Sequence, residues 1–511
     1  MKYLPTIGIE CHVQLSTKTK LFSAVDNDAR GKEPNSCVSP IDYALPGMLP
    51  QLNGEAVKFA IRAGHAMNCK INQKSHFDRK HYFYPDSPKG YQITQFYHPI
   101  IGEGYVELPN GTKIRIEHAH LEGDAGKLTH YDDHSLVDLN RVDTPLIEIV
   151  SMPDIHSAAD ARDYCKELWR LMTFAKVSYG DLYNGNMRFD VNVSLAPEDS
   201  TELGTRTETK NLNSFRSVER AIEFEIKRQT KILEQGGEIK QETRGWNDTT
   251  GESTPQRSKE EAKDYRYMPE PDIPPLNLSA EFIDEQLADF PLMPADYRKM
   301  FNKIIPVDIL EILLDYPQLM EKLSEITFEG NGSAQIITSE TVSREGRCPS
   351  EASEPREDGS ERARSKKLLS SAKLISNLFA SVLLAEENAS LLNDELPSVK
   401  QLKDLVEMNE NGELSSTATK EVFLKFFDPE MHFKDTETIA KELGVIQEND
   451  TAALESIVDA VLASPTTKKA QDDYRAGQTK VIGFLVGQVM KESHGTANPA
   501  AVQEILKKKL V

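Results

Sequence analysis

The chain has 511 residues, too many for a single hydrophobic core, so several domains are expected. Its formal net charge of −21 opposes indiscriminate binding to nucleic acid, although a local basic groove for one RNA remains compatible with it. No run of about 18 apolar residues offers a membrane span. Five scattered cysteines without a C-x-x-C pair argue against a disulfide framework or zinc knuckle and for a reducing compartment.

The first element is written in IGIECHVQL. Ile7, Ile9, Cys11 and Val13 alternate with Gly8, Glu10, His12 and Gln14, the pattern of a strand with one apolar and one polar face. The opening residues show neither a basic–apolar leader nor an Arg/Ser-rich amphipathic stretch. A bacterial-type cytoplasm is therefore the expected location, with the mitochondrial matrix as the alternative if a presequence has been trimmed.

FDRKHYFYPDSPKGYQITQF then interleaves Arg79, Lys80, His81 and Lys89 with Tyr82, Phe83, Tyr84 and Tyr91. Cations among aromatics suit stacking on bases with phosphate contact, and a hairpin with core aromatics fits the same composition. KDYRYMPEPDIPPL, which contains Arg266, is a similar tract. In IEHAHLEGDAGK, His118, His120 and Glu122 share a face. SAADARDYCKELWRLMTFA reads as a helix starting near Ser157. In MRFDVNVSL, Arg188, Asp190, Asn192 and Ser194 alternate with apolar residues, and in GTRTETKNL, Arg206, Glu208 and Lys210 share a face. A second helix follows Asn213, with Phe215, Val218, Ile222 and Ile226 on one stripe and Gly236-Gly237 as its stop.

Strands mixed with helices, without regular βαβ alternation, make residues 1 to about 290 an α+β domain. After the Pro-rich PEPDIPPL the spacing turns helical, predicting a helical domain over 291–434 and a helical tail over 435–511, where Asn498-Pro499 opens the last helix. Residues 329–367 are Ser/Glu/Arg/Gly-rich and nearly free of large apolar side chains. They read as a disordered insertion, with a partner-binding segment as the alternative.

If the polar-faced strands are neighbours in one sheet, Glu10, His12, Glu122, Asp190 and Glu208 converge. Clustered carboxylates repel one another, and a bound divalent cation is the usual remedy. Oxygen-rich donors with one imidazole suit Mg²⁺ or Mn²⁺ better than zinc, and magnesium implies phosphate and nucleotide chemistry. A wet, charged outer face fits the same spacing. No P-loop, dinucleotide fingerprint, nucleophile elbow or H-E-x-x-H motif is present.

The stretches IGIECHVQL, FDRKHYFYPDSPKGYQITQF, HLEGDAGK, SLVDLNRVDTPLIEIVSMPDI, MRFDVNVSL, ETKNLNSF, DYRYMPEPDIPPL and GFLVGQVMKESHGTANP occur in this order. Together they resemble the B-subunit family of the aspartyl/glutamyl-tRNA amidotransferases, over nearly the whole chain outside 329–367. The resemblance implies a cradle-shaped α+β domain on a mainly antiparallel sheet, a helical domain, and a small helical tail that touches tRNA. It implies a carbon–nitrogen ligase that uses ATP and Mg²⁺ to phosphorylate the side-chain carboxylate of misacylated Asp-tRNA(Asn) or Glu-tRNA(Gln). The implied partners complete a heterotrimer. An amidase, the A subunit, releases ammonia from glutamine, and the small C subunit holds the other two together. Neither DNA nor a membrane is an expected partner.

Carried onto this chain, the resemblance implies catalytic roles for Glu10, His12, Asp190, Glu208, Arg188, Arg206 and Lys210. The implied metal ligands are Glu10, His12, Glu122, Asp190 and Glu208. Arg79, Lys80, His81, Tyr82, Tyr84, Tyr91 and Arg266 are expected to meet tRNA or substrate. Where some members carry a cysteine knuckle this chain has only Cys37, so no zinc is expected. Many members read H-M-E-E-D-A-G-K where this chain reads HLEGDAGK, Gly123 standing in place of the second glutamate. If that glutamate is the ligand, a non-catalytic tRNA-binding scaffold becomes the alternative.

Overall fold

In the computed structural model, which describes residues 2–258, 265–328, 359–447, 451–493 and 497–510, the opening alternation forms strand β1 (Tyr3–Gln14). Ile7, Ile9, Cys11 and Val13 are at most 1 % exposed, while Glu10, His12 and Gln14 between them keep partial access to solvent. Seven further strands complete the sheet: β2 (Gly104–Glu107), β3 (Lys113–Gly123), β4 (Pro145–Ser151), β5 (Met187–Pro197), β6 (Thr207–Leu212), β7 (Glu242–Asn247) and β8 (Glu252–Ser258). Their order is β8-β7-β6-β5-β1-β4-β3-β2, so β1 is interior. Every neighbouring pair is antiparallel except β6 with β7.

Helices α1 (Gly54–Ala66), α2 (Ala158–Phe174) and α3 (Phe215–Glu234) cover the apolar face, α1 on β3 and α3 on β5, with α2 beside α3. The hydroxyls of Ser157 and Ser214 cap α2 and α3 by accepting from the N–H groups of Asp160 and Ser217. Gly236 ends α3 at φ +74°, where a side chain would be strained. Only part of the predicted α3 stripe is inward: Val218 and Ile222 are buried, and so are Glu225 and Gln229. Glu225 accepts from the Thr207 hydroxyl (2.5 Å), from Gln229 (2.9 Å) and from Arg228 (2.6 Å), which ties the helix to β6 with polar bonds.

The tract around Lys80 forms a hairpin, Asp78–His81 with Tyr91–Thr94, extended by Met268–Pro269. It borders the polar face of the sheet: Gln92 donates to the Gly123 carbonyl of β3 (3.0 Å).

The chain divides into two units, Met1–Pro294 and Ala295–Val511. The second is helical. DILEILLDYPQLMEKLSEI breaks into Val307–Leu313 and Pro317–Thr327, with proline in the first turn where its missing N–H costs nothing. Of the predicted insertion, 329–358 lies outside the described residues. The remainder is corrected: helix Gly359–Leu378 begins inside it. Its Glu, Arg, Ala and Lys are strong helix formers, and Ala372, Ile375 and Leu378 anchor the later turns. Asp435 caps helix Thr436–Glu442, which packs on Val399–Glu410, and Thr436 donates to the Gln401 carbonyl (3.0 Å). A separate final core gathers from Leu454 to Leu510.

Both tryptophans, Trp169 and Trp246, lie in the first unit, so their fluorescence reports its unfolding alone. Ile9→Ala empties a buried position on an interior strand and is expected to lower that unit's stability by about 2–5 kcal/mol. A urea titration showing a loss below about 1 kcal/mol would contradict the central placement of β1.

Candidate active site

Antiparallel register decides which polar side chains meet. Across β1, His12 lies opposite Glu148 of β4 and Arg188 of β5, while Glu10 lies opposite Asp190. On β3, His120 is also opposite Glu148. The His12 Nε2 is 3.4 Å from Glu148 Oε2 and 3.6 Å from Glu122 Oε1, and His120 Nε2 is 3.6 Å from Glu148 Oε2. Donor atoms of His12, Glu122 and Glu148 all lie within 4.8 Å of one another, and the same holds for Glu10, Asp190 and Glu208. The five predicted ligands therefore come together, but as two groups. Two residues along a strand, roughly 6.6 Å, separate them.

Glu148 is the member that the sequence pattern did not reveal. It sits as the lone charge in the apolar run Pro145–Ser151, and such a charge on a largely buried strand was the available signal.

A β-bulge shapes the second group. The β5–β6 register slips between Phe189 and Val191, Asn211 takes φ +60°, and its N–H donates to Asp190 Oδ1 (2.8 Å). Thr243 on β7 donates to Glu208 Oε2 (2.9 Å), and Asn192 to Glu10 Oε1 (3.3 Å). Lys210 brings its ammonium to 3.0 Å from Asp190 and 3.2 Å from Glu208.

The electrostatics of both groups favour positive charge. Burial opposes protonation of His12, but its hydrogen bond to Glu148 and the charges of Glu122, Glu148 and Asp190 prevail and hold the imidazole up to about 9. His120 is raised in the same way: burial opposes, and Glu148 and Glu122 outweigh it. Burial also works against the Lys210 cation, yet Asp190, Glu208 and Glu10 carry its pKa upward. Burial, followed by the charge of Glu148, pushes the Glu10 carboxyl up. Each carboxylate group thus already contains a protein cation. The buried Asn192 Oδ1 and His120 Nδ1 have no hydrogen-bond partner, leaving two donor atoms unused beside the groups. These oxygen-rich sets fit a hard divalent cation.

The His12 group opens into a cleft of about 240 Å³, lined also by Lys80, Lys89 and Arg188. Lys80 enters it from the hairpin; burial works against its charge, and Glu122 and Glu148 raise its pKa nonetheless. Arg188 lies 3.4 Å from Asp124.

Two of the residues singled out in the sequence stand apart from both groups. Arg206 is exposed and precedes β6, which starts at Thr207, so the alternation linking it to Glu208 and Lys210 breaks off before it. Arg79 is engaged within the protein. Its guanidinium forks onto the fully buried Glu270 (2.7 Å, twice), reaches Asp272 (3.0 Å) and covers the Tyr91 ring at 4.3 Å. His81 Nδ1 is 2.8 Å from the carbonyl of Arg266, whose backbone is left-handed at φ +43°. Tyr82 and Tyr84 lie 5.8 Å apart, with Tyr84 43 % exposed, so this end of the hairpin keeps a stacking surface.

Gly123 lines the same cleft as His12. A Cβ there would lie 2.7 Å from Asp143 Oδ1 and 3.4 Å from the Phe22 ring. With glycine at this position both carboxylate groups are present, and nothing in them favours the non-catalytic alternative.

Removing the Arg79 side chain strands the Glu270 carboxylate. Arg79→Ala is expected to cost about 3–5 kcal/mol of first-unit stability, read by tryptophan fluorescence in urea. Unchanged stability with weakened tRNA binding would instead restore the RNA-contact role.

A family model described as "GatB/GatE catalytic domain" matches residues 5–284, and one described as "GatB domain" matches residues 363–510. The B subunit of the aspartyl/glutamyl-tRNA(Asn/Gln) amidotransferase of Thermotoga neapolitana is 38 % identical over 524 residues, covering 100 % of this chain and 99 % of the relative. The proteins of the same name from Geotalea uraniireducens and Elusimicrobium minutum are 40 % and 41 % identical over 523 and 512 residues. Both comparisons cover 100 % of this chain, and 100 % and 99 % of the relatives. With matches of this extent across both units, the chain belongs to the GatB family, the B subunits of tRNA-dependent amidotransferases.

Proposed function

We propose that the cleft beside His12 is where the side-chain carboxylate of a misacylated Asp-tRNA(Asn) or Glu-tRNA(Gln) is activated by ATP and amidated. The observation that carries this reading is the pair of carboxylate groups on adjacent strands, each balanced by a protein cation, bordered by Lys80, Lys89 and Arg188.

A carboxylate is a poor acceptor for ammonia. Attack of its oxygen on the γ-phosphorus of ATP expels ADP and turns that oxygen into a leaving group. Ammonia then attacks the acyl carbon, phosphate departs, and a proton is lost to give the amide. Phosphoryl transfer mainly requires alignment and charge neutralisation. His12, Glu122 and Glu148 would hold one Mg²⁺ and Glu10, Asp190 and Glu208 a second, and bound there the ions would neutralise phosphate oxygens. To serve as a ligand His12 would give up the proton it otherwise carries, and Lys210 would give way to the ion. Lys80 and Arg188 supply fixed positive charge at the wall.

Ammonia is supplied by the amidase partner, with the small third partner completing the heterotrimer. The tail contributes tRNA contacts: Lys507 and Lys508 are exposed on the last helix, Pro499–Leu510, and suit phosphates. His494, a further cation of that stretch, lies outside the described residues.

The test is ATP-dependent phosphorylation and amidation of mischarged tRNA by the reconstituted complex. Glu10→Gln, His12→Ala and Glu148→Gln are each expected to slow it by a factor of roughly 10³, leaving glutamine hydrolysis by the partner intact. Gln14→Ala and Arg206→Ala, outside both groups, are expected to stay near wild type. The reading fails if all five variants phosphorylate at comparable rates.

A further inference from the structure

Four aromatic rings lead from the cleft to a second cavity within the first unit. Tyr265 lines the cleft, with the Lys80 ammonium 5.0 Å from the centre of its ring. Tyr267 lies 6.1 Å from Tyr265, and Phe96 stacks on Tyr267 at 4.0 Å with the ring planes 13° apart. Tyr97 meets Phe96 edge to face at 5.0 Å. Tyr97 in turn lines a cavity of about 690 Å³ together with Lys70, Lys74, His65 and His98. Asp284 is its one acidic lining residue among those described.

Packing does not account for the outer rings. Phe96 and Tyr97 are 53 % and 54 % exposed, so about half of each side chain gains nothing from burial. Their backbone is nonetheless firmly fixed. The fully buried Asp78 carboxylate accepts from the N–H groups of both Phe96 (2.8 Å) and Tyr97 (3.1 Å). The next two carbonyls are held as well, His98 by the Ser75 hydroxyl (2.6 Å) and Pro99 by the Asn72 amide (2.8 Å). Rings presented on a pinned backbone lose little further freedom when a flat ligand lands on them. At the far end Lys70 and Lys74 are exposed, and neither is ion-paired among the described residues, in a chain of net charge −21.

Rings in series followed by unpaired cations suit a single nucleic-acid strand, because each base offers a flat face and each phosphate a negative charge. The substrate of the cleft carries such a strand. The amino acid activated there is esterified to the terminal ribose of a tRNA, whose 3′ end is unpaired. We propose that the Tyr265–Tyr267–Phe96–Tyr97 series is the track along which the single-stranded 3′ end of the aminoacyl-tRNA leaves the cleft. Its bases stack along the rings, and its phosphates pass over Lys70 and Lys74. That the strand is a tRNA rests on the function proposed above; that the rings bind a single strand does not.

The experiment measures equilibrium binding to the full chain in the reconstituted complex, with two probes. One is intact uncharged tRNA, and the other is the same tRNA trimmed of its unpaired 3′ nucleotides. No chemical step enters, so the result is independent of what the cleft catalyses. Wild type is expected to bind the trimmed tRNA about 10-fold or more weakly than the intact one. Phe96→Ala and Tyr97→Ala are each expected to weaken intact tRNA by about 10-fold and trimmed tRNA by less than about 2-fold. Phe96→Tyr, which keeps a ring, should bind as wild type does. Lys70→Gln with Lys74→Gln should make the fall of log K with log salt less steep by about 1.4 for intact tRNA alone, two phosphates of a single strand. Tryptophan fluorescence in urea checks the fold of each variant. Where Phe96→Ala unfolds early, Phe96→Leu replaces it, filling the volume without a flat face. Indifference of the wild type to trimming, or equal losses on both probes, overturns the track. So does a raised KM for ATP with tRNA binding unchanged, which would put the adenine of the nucleotide on the rings. Failure of the variants to assemble with the partner subunits also overturns it, because the face would then be a protein interface. A complex that binds as expected but does not phosphorylate sinks the function proposed for the cleft and leaves the track standing.

Discussion

The register of β1 between β4 and β5 is the constraint on which the rest depends. Because side chains alternate with a period of two, the same strand sends Ile7, Ile9, Cys11 and Val13 into the helical layer and Glu10 and His12 to the opposite face. A slip of one residue would bury the charged side chains and expose the core. The hydrophobic effect on one face therefore fixes the position of charged groups on the other, though it acts on none of them directly. Antiparallel pairing then sets His12 against Glu148 and Glu10 against Asp190 with no loop involved. Donor groups carried on strands are held more precisely than groups on loops.

Charge balance is the second organising influence. Six carboxylates and histidines converge on two small volumes, and the protein offsets the anions with its own cations: His12 and His120 in one group, Lys210 in the other. Lys80, with Glu122 and Glu148 beside it, and Arg188, with Asp124, extend this balance to the cleft. On the far side of the sheet Glu225 shows the same compensation in a structural setting, buried but hydrogen-bonded to Thr207, Gln229 and Arg228.

Period-two and helical spacing made much of this legible in the sequence. The strands carrying Glu10, Asp190 and Glu208, the caps at Ser157 and Ser214, and the segregation of strands from later helices all follow from local pattern. What escaped involved partners distant along the chain. The Arg79 fork to Glu270 spans 191 residues, which no spacing rule detects. Arg206 looked equivalent to Lys210 because alternation does not announce where a strand begins. Glu148 was passed over because one charge in an apolar run has no repeating partner to draw attention to it. Glu225 and Gln229 were missed because helical stripes are read from apolar residues alone. The split into two carboxylate groups needed the actual strand order.

Lys210 has one more consequence. Its ammonium is tethered a few ångströms from Asp190 and Glu208, and unlike a dissolved ion it cannot diffuse away. Any cation entering that group must displace a competitor of very high effective concentration, and the competitor returns as soon as the entrant departs. Such an arrangement lowers residence time. It also spares the fold from depending on cation supply, since the anionic cluster carries its own compensating charge.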